Sequence, residues 1–537
     1  MPDPTTTTGV LIVGAGPTGL TLACELARRS VPHRIVDRAE RHSTASRAKT
    51  IQPRALEVAD DLGVVDRILE LGAVHVPSRH YDRDRVVSEA VEAAVGVAPS
   101  PEVPHPAPVW ISQPRIEAVL RDRLAELGAH VEMAAEVTEL AQDDDEVTVT
   151  LRTSEGPRLV RARYVIGCDG GHSIVRRQSG ITLEGTTYER HRWYLGDVHI
   201  DGLDRHCQHI WMTPEHGVLS LFPLPGTDLW QFQASIPADE QSPAEPSLEL
   251  YRQIFTERAD LPGVRIHSPG WLSLYRINVC MVGRYRAGRV FLAGDAAHIH
   301  SPGGGQGMNT GIQDAYNLGW KLAAVLDGAD PALLDTYEQE RLPVARAVLQ
   351  DSTARLHMVM RAAEDGDGAY AQRNLTDDFT TGLTITYRGS RLSWPAPAPS
   401  AGPQAGDRAP DAPCLDTSTG ERIRLFDLFR GPHWTLLAFG DDHGDLGRLT
   451  SGDRSVPLGA YTITTSRTTT GPHVVLDGER HAHRAYAVGS GELVLVRPDG
   501  YLAVRCPARD REIVERYLDT LCSRGAGAVP TDQGRSR

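Results

Sequence analysis

The sequence predicts a mixed α/β and α+β chain, with a Rossmann-like nucleotide-binding domain, an antiparallel-sheet domain interleaved with it, and a separate carboxyl-terminal region. Three observations predict it. Gly14-Ala15-Gly16-Pro17-Thr18-Gly19 stands between an apolar run and a helical pattern, the context that makes G-x-G-x-x-G informative. Residues 185–285 change to short aromatic-rich segments broken by Gly and Pro, as in antiparallel strands. Residues 393–413 are a Pro/Ala/Gly-rich stretch that reads as a linker.

In chain order, GVLIVG (9–14) is a buried strand, LTLACELARR a helix, and HRIVDR (33–38) a second strand ending in Asp37. Gly14 permits the tight turn, Gly16 lets a pyrophosphate approach, and Gly19 allows close helix–strand packing. Asp37 then lies where a ribose hydroxyl is accepted. Ser46 and Arg47 follow on a small polar stretch and read either as contacts to the bound cofactor, its pyrophosphate included, or, for Arg47, as a solvated arginine. Residues 76–108 hold many prolines and read as an irregular excursion, and ISQPRIEAVLRDRLAEL (111–127) as a helix returning to the first domain. Val137 lies on a following strand, and Asp143–Glu146 is a solvated turn. ARYVIGCDGGHSIVRR repeats the strand-then-acid pattern, with Asp169 and Gly170 at the turn.

In the 185–285 region, Trp193, His209, Trp211, Phe222, Trp230 and Phe232 could wall an apolar pocket. Each alone fits a core position better, because aromatic side chains are usually buried. His209, Gln231 and Gln233 are polar groups that could orient a ligand. Arg289–Leu326 reads as strand, turn, glycine-rich loop and helix. Asp295 stands at the strand's carboxyl end, where α/β sheets bind ligands. Gly303, Gly304, Gly305 and Gly307 allow close approach, and the helix after Asn309 turns its free N–H groups toward an anionic group, or one that becomes anionic. Beyond the linker, strands are expected at TLLAFG, YTITTS and ELVLVRPDGYLAVRC, with Arg497-Pro498-Asp499-Gly500 as a turn.

The length of 537 residues suits three or four domains. A formal charge of −14 argues against a nucleic-acid or anionic-membrane surface. No apolar run of about 18 residues is present, so no membrane span is expected. The amino terminus lacks the pattern of a signal peptide. Seven scattered cysteines form no C-x-x-C and no zinc spacing, so a cytoplasmic protein without a metal is expected. The chain has only two lysines, Lys49 and Lys321, which reads as coding bias without mechanism.

Taken in order, GAGPTG (14–19), CDGGHS (168–173) and AGDAAHIHSPGGGQGMN (293–309) closely resemble the single-component FAD-dependent aromatic hydroxylases of the para-hydroxybenzoate hydroxylase fold. The match spans roughly residues 8–390. The carboxyl-terminal region resembles the thioredoxin-like domain of the larger polyketide and phenol hydroxylases, here without C-x-x-C and so without thiol–disulfide catalysis. The resemblance implies an FAD-binding domain in three pieces (1–75, 105–185 and 285–392), a substrate-binding domain (76–104 and 186–284), a linker (393–413), a thioredoxin-like domain (414–524) and a mobile tail (525–537).

The resemblance also implies site residues. Gly14, Gly16, Pro17, Thr18 and Gly19 would surround the FAD diphosphate, with Asp37 and Arg38 on the adenosine side. Arg47 and Gln113 match cofactor-contacting positions, and Val137 would touch the adenine side through its backbone. Asp169 would serve FAD and NAD(P)H; Gly294 and Asp295 the ribitol or diphosphate region. Gly305, Gly307, Met308 and Asn309 would border the isoalloxazine, with Pro302 near its reactive C4a–N5 edge. Pro302, Met308 and Asn309 form the expected flavin environment of catalysis, with no protein acid or base assigned. From the 185–285 strands, His209, Trp211, Phe222, Gln231 and Gln233 are the candidates to contact a bulky aromatic substrate.

The implied reaction takes reducing equivalents from NAD(P)H and inserts one oxygen atom of O2 through a flavin C4a-hydroperoxide into a phenolic, polyketide-like ring. Baeyer–Villiger insertion or antibiotic inactivation is the alternative on the same fold. A flavin reductase and a ligand-binding flavoprotein are the readings from other classes. Monomer and homo-oligomer both remain open.

Overall fold

The computed structural model describes residues 5–90, 100–237, 240–301, 303–365, 378–396, 401–441, 446, 457–489 and 491–522. At its centre lies a largely parallel sheet. The strand Thr5–Val13 pairs in parallel with Gly156–Gly167 on one side and His33–Val36 on the other. Val290–Leu292 joins beyond Gly156–Gly167, and Val131–Glu132 beyond His33–Val36. Val10, Leu11, Ile12, Val165, Ile166, Val290, Phe291 and Leu292 are all fully buried. Continuous apolar runs are what a sheet covered on both faces requires. The register sets Val13 beside Gly167 and Gly167 beside Leu292. The three glycine motifs, each just past a strand end, therefore converge at one edge of the sheet.

Local sterics make that convergence possible. Gly14 has φ +103°, and a methyl there would run into the Cys168 carbonyl. A methyl at Gly19 would overlap the Gly14 carbonyl. The helices Pro17–Ala27 and Gln306–Leu326 pack against each other across this edge. A methyl at Gly311 would meet Thr18 Oγ1.

The second sheet has eight strands, in the order His298–Ile299, Arg265–Val282, Leu183–Asp201, Leu229–Ser235, Gly217–Pro223, Gln208–Thr213, Ser78–Asp82, Arg85–Ala90. It is antiparallel apart from the parallel pair Gln208–Thr213 and Ser78–Asp82. One face packs Trp211, Leu219, Leu221, Trp230 and Phe232 against Tyr251, Ile254 and Phe255 of the helix Leu248–Ala259. The other face looks toward the parallel sheet. The expectation of an irregular excursion over 76–108 is corrected in part: residues 78–90 form an edge hairpin. Backbone pairing to Gln208–Thr213 overrides a charged sequence, and Arg83 turns it at φ +55°. Residues 91–99 lie outside the described residues.

The carboxyl-terminal sheet has seven strands, in the order Arg422–Arg424, Pro413–Asp416, Val474–Leu476, Leu458–Thr464, Trp434–Phe439, Glu492–Val496, Leu502–Pro507. The three segments expected as strands are strands. Residues 401–412, expected as part of a linker, are packed instead. Ala409, Asp411 and Ala412 are fully buried, and the Arg408 guanidinium grips Glu57. Gly402 and Gly406 turn this segment at φ +80° and +91°, so its small residues serve close packing. The expected tail, 525–537, lies outside the described residues. No helix among the described residues is long and apolar enough to cross a membrane.

Arg497-Pro498-Asp499-Gly500 does more than turn. It inserts between the helices Gln306–Leu326 and Asp335–Asp365. Arg497 donates to both Glu340 oxygens at 2.7 and 2.9 Å, and to Asp499 at 2.9 and 2.6 Å. Lys321 Nζ donates to Glu340 at 2.6 Å, Asn317 to Glu340 at 2.7 Å, and the Trp320 indole to Asp499 at 3.1 Å. Arg497, Lys321, Glu340 and Asp499 are all buried. Two cations face two anions, and each charge is hydrogen-bonded, the condition under which buried ions are tolerated.

Arg497→Met leaves two buried carboxylates facing one ammonium. The expected loss is about 3–5 kcal/mol, as for other broken buried pairs, seen as a lower thermal midpoint and faster proteolysis after residue 401. Burial alone would raise the Glu340 and Glu57 carboxyls. Arg497 and Lys321 outweigh it at Glu340, and Arg408 and Arg54 at Glu57, so both sit below the ordinary range. A depressed folded pKa gives stability above the unfolded value, lost as pH falls through the folded one. Unfolding midpoints should thus drop steadily below about pH 4.3, and Glu340→Gln should flatten part of that slope.

Candidate active site

Between the glycine-rich edge and the inner face of the antiparallel sheet lies a cavity of ≈ 1550 Å³. Two chemically different ends meet in it. Gly16, Pro17, Thr18, Asp295, Gly305, Gly307 and Met308 line one end. Trp193, Phe222, Trp271 and Gln233 line the other, with Lys49 among them.

The first end is built around the start of the helix Gln306–Leu326. Gly304 (φ +82°) and Gly305 (φ +63°) take left-handed conformations that bring the chain into the helix facing the cavity. No side chain caps this start, so its first N–H groups lack intrahelical acceptors. Asn309 holds the start in place. Its Oδ1 accepts the Gln52 N–H at 2.8 Å, and its Nδ2 donates to the Gly305 and Thr50 carbonyls at 2.8 and 3.2 Å. The Asn309 side chain is fully buried in that role.

Asp314, one turn further, accepts from Gly294 N–H at 3.1 Å, Arg341 Nε at 2.7 Å and His298 Nε2 at 2.6 Å. This fixes the Gly294–Asp295 turn over the helix. Asp295 lies inside the fold but is exposed to the cavity, onto which its carboxylate opens. Burial raises its pKa against the pull of His298 and Arg47. It makes no hydrogen bond to another described side chain.

The other expected residues divide clearly. Arg47 and Gln113 line the cavity, and Gln113 Oε1 accepts the Ala48 N–H at 3.2 Å. Asp37 accepts the Ala15 N–H at 2.8 Å and the Ala39 N–H at 2.9 Å, so it braces the first glycine turn. Arg38 is exposed outside the cavity, and Val137 is core. Asp169 spends its carboxylate on Ser173 Oγ (2.5 Å) and the Ile174 N–H (2.7 Å), at the start of its own helix. Gly14, Gly19 and Gly294 shape the backbone rather than the lining. Pro302 lies outside the described residues.

On the antiparallel sheet the period of two decides. Ile210 and Met212 line the cavity, which turns His209 and Trp211 to the opposite face. There Tyr81 Oη meets His209 Nδ1 at 2.7 Å, and the Trp211 indole donates to the Arg83 carbonyl at 2.9 Å. These two are core residues. Phe222 and Gln233 are on the cavity face. Gln231 is fully buried behind it, its Oε1 accepting from Lys49 Nζ at 3.1 Å and from Gln233 Nε2 at 2.6 Å.

Sequence reasoning missed Lys49, Gln52, Asp197, Trp271 and Asp314. Two of them left a signal. Lys49 is one of only two lysines, and Asp197 is an acid inside an aromatic strand.

The donor set suits FAD. A Cβ on Gly16 would have nothing within 4 Å, so this glycine keeps open space that the fold does not itself fill. Beside it stand an unpaired carboxylate at Asp295 and uncapped N–H groups at the helix start. Gly16→Val should therefore fold, yet bind FAD roughly ten- to a hundredfold more weakly, about 1.4–3 kcal/mol, read from the flavin-to-protein absorbance ratio. Gly19→Ala should instead fail in folding.

Comparison with known proteins points to the same cofactor. The family model described as FAD binding domain matches residues 7–352, and that described as aromatic-ring hydroxylase, C-terminal, matches 402–527. A flavin-dependent monooxygenase of Mycobacteroides abscessus is 42% identical over 92% of this chain and 96% of its own. The 6-methylpretetramide 4-monooxygenase of Streptomyces rimosus is 32% identical over 92% of this chain and 90% of its own. The structure of aklavinone-11 hydroxylase with FAD and aklavinone superposes with a TM-score of 0.81 at 28% identity, over 96% of this chain and 99% of that one. The chain belongs to the FAD-dependent aromatic-ring hydroxylases, and is a flavin-dependent monooxygenase.

Proposed function

We propose that the substrate is a bulky phenolic compound of polyketide type, hydroxylated at the expense of NAD(P)H and O2. The observation that carries this is one continuous cavity of ≈ 1550 Å³ with a glycine-rich end and an aromatic end. It exceeds the roughly 300–1,000 Å³ of an ordinary small-molecule pocket, so it has room for a flavin ring and a multi-ring substrate together. The relatives named for 6-methylpretetramide and aklavinone support the same class.

The residues proposed to hold FAD are Gly14, Gly16, Pro17, Thr18 and Gly19 at the first turn, with Arg47, Gln113, Asp295, Gly305, Gly307 and Met308 along the cavity. FAD supplies the ring that accepts hydride and activates dioxygen. The chain's part is placement, electrostatics and exclusion of water. The start of Gln306–Leu326 would offer partial positive charge to a flavin ring bound there, favouring its reduced, anionic form. Asn309 keeps that start rigid, so little reorganisation is needed. Trp193, Phe222 and Trp271 form apolar walls against which a flat ring stacks. They also keep water from the reacting atoms.

The test is direct. NAD(P)H added without air should bleach the flavin, faster when a suitable polyphenol is present. Readmitted labelled dioxygen should place one labelled atom in the product, and NMR should show an unexpanded carbon skeleton. Bleaching without label in any product points to a reductase; an expanded skeleton points to Baeyer–Villiger insertion.

A further inference from the structure

The aromatic wall carries one polar row that binding of FAD does not explain. Cross-strand pairing sets Phe222 opposite Gln231, Gln231 opposite Asp197, and Asp197 opposite Trp271. The loop that ends at Lys49 is pinned across this row. Ser46 donates its N–H to Asp197 Oδ2 at 2.7 Å, and its carbonyl accepts from Gln231 Nε2. Asp197 Oδ2 also accepts the Trp271 indole N–H at 2.5 Å. Lys49 Nζ is left 3.9 Å from the centre of the Phe222 ring, with one amide oxygen, Gln231 Oε1, at 3.1 Å. An ammonium has three N–H groups to satisfy. Asp197, fully buried, pulls on its charge, and Asp197 Oδ1 has no hydrogen-bond partner among the described residues.

We propose that Lys49 binds the ring hydroxyl of the aromatic substrate and takes its proton. This rests on the reading of the substrate as a phenol. The hydroxyl O–H bond breaks, an N–H bond forms on the unprotonated Nζ, and an ammonium–phenolate pair remains. The Gln233 amide, hydrogen-bonded to Gln231 Oε1 at 2.6 Å and lining the cavity, completes the contact. Burial pushes the Lys49 ammonium down to about 7, against the pull of Asp197, so near neutrality a share of Nζ is free to accept. Asp197 is itself pushed up by burial to about 6, and above that it favours the ammonium once formed. A phenolate ring is richer in electrons than a phenol, which is what attack on an electrophilic oxygen requires. An ion pair in an apolar cavity is also far stronger than in water.

The probe is para-nitrophenol, whose phenolate absorbs in the visible, bound to FAD-loaded enzyme without NAD(P)H. Difference spectra below the probe's own pKa should show its phenolate fraction raised about tenfold on binding, one unit of pKa. Lys49→Met should abolish the gain, and Lys49→Arg should retain part of it through charge alone. Para-nitroanisole, which has no proton to give, should bind wild type and Lys49→Met equally. Three results would overturn the proposal: no phenolate gain in wild type, an equal gain in Lys49→Met, or a parallel loss of para-nitroanisole binding. None of these touches flavin bleaching or label incorporation, so this proposal and the hydroxylase reading fail separately.

Discussion

The site depends first on one buried carboxylate. Asp314 accepts hydrogen bonds from the Gly294 backbone, His298 and Arg341, so a strand-end turn, a short strand and the helix Asp335–Asp365 all meet on the helix Gln306–Leu326. Without a negative charge there, Arg341 would be buried unpaired, and the turn carrying Asp295 would lose its tie to the helix. Burial opposes the charge, while His298 and Arg341 outweigh it, so Asp314 stays ionised. The His298–His300 contact at 2.7 Å extends the network to the cavity wall, where His300 stands. Burial lowers His300, and the neighbouring His298 lowers it further. The cavity lining at this end is therefore held by charge inside the core, together with the hydrogen bonds of Asn309 to Thr50 and Gln52.

How much of this was legible follows from which constraints are local. The three glycine motifs could be read because each demands a backbone that only glycine supplies, as at Gly14 and Gly19, and because each follows a short apolar strand. Their meeting at one sheet edge followed from parallel pairing. The face of the antiparallel strands could not be read. Alternation separates two faces only when one is wet. Here one face packs on Leu248–Ala259 and the other lines the cavity, so Trp193 and Tyr194, or Phe222 and Leu221, look equally buried in sequence. His209 and Trp211 fell on the wrong parity for that reason. Gln233 and Phe222 did not.

Lys49 shows a different limit. A single lysine in a loop carries no motif, and its surroundings come from four strands distant in sequence. What singles it out is physical: an amine between an aromatic ring and an amide oxygen, with a buried acid behind it. The Arg497–Gly500 segment is similar. Its sequence specifies a turn, and a turn it is, but its partners Glu340 and Lys321 are more than a hundred residues away.

The same buried charges give the carboxyl-terminal domain a physical connection to the cavity. Asp499 offers its backbone carbonyl to Arg54 at 2.6 Å, and Arg54 also holds Glu57 at 2.7 Å. Arg408 holds Glu57 from the other side. The helix Pro53–Asp61 is thereby clamped by the carboxyl-terminal domain, and its N-cap, Gln52, donates the N–H that Asn309 accepts. Each joint is buried and hydrogen-bonded, so loosening one leaves a charge or a polar group without water or partner. A hydrophobic contact could slide by an ångström at little cost. A chain of ion pairs and buried hydrogen bonds cannot, and the helix start that faces the glycine-rich end of the cavity is held at the end of that chain.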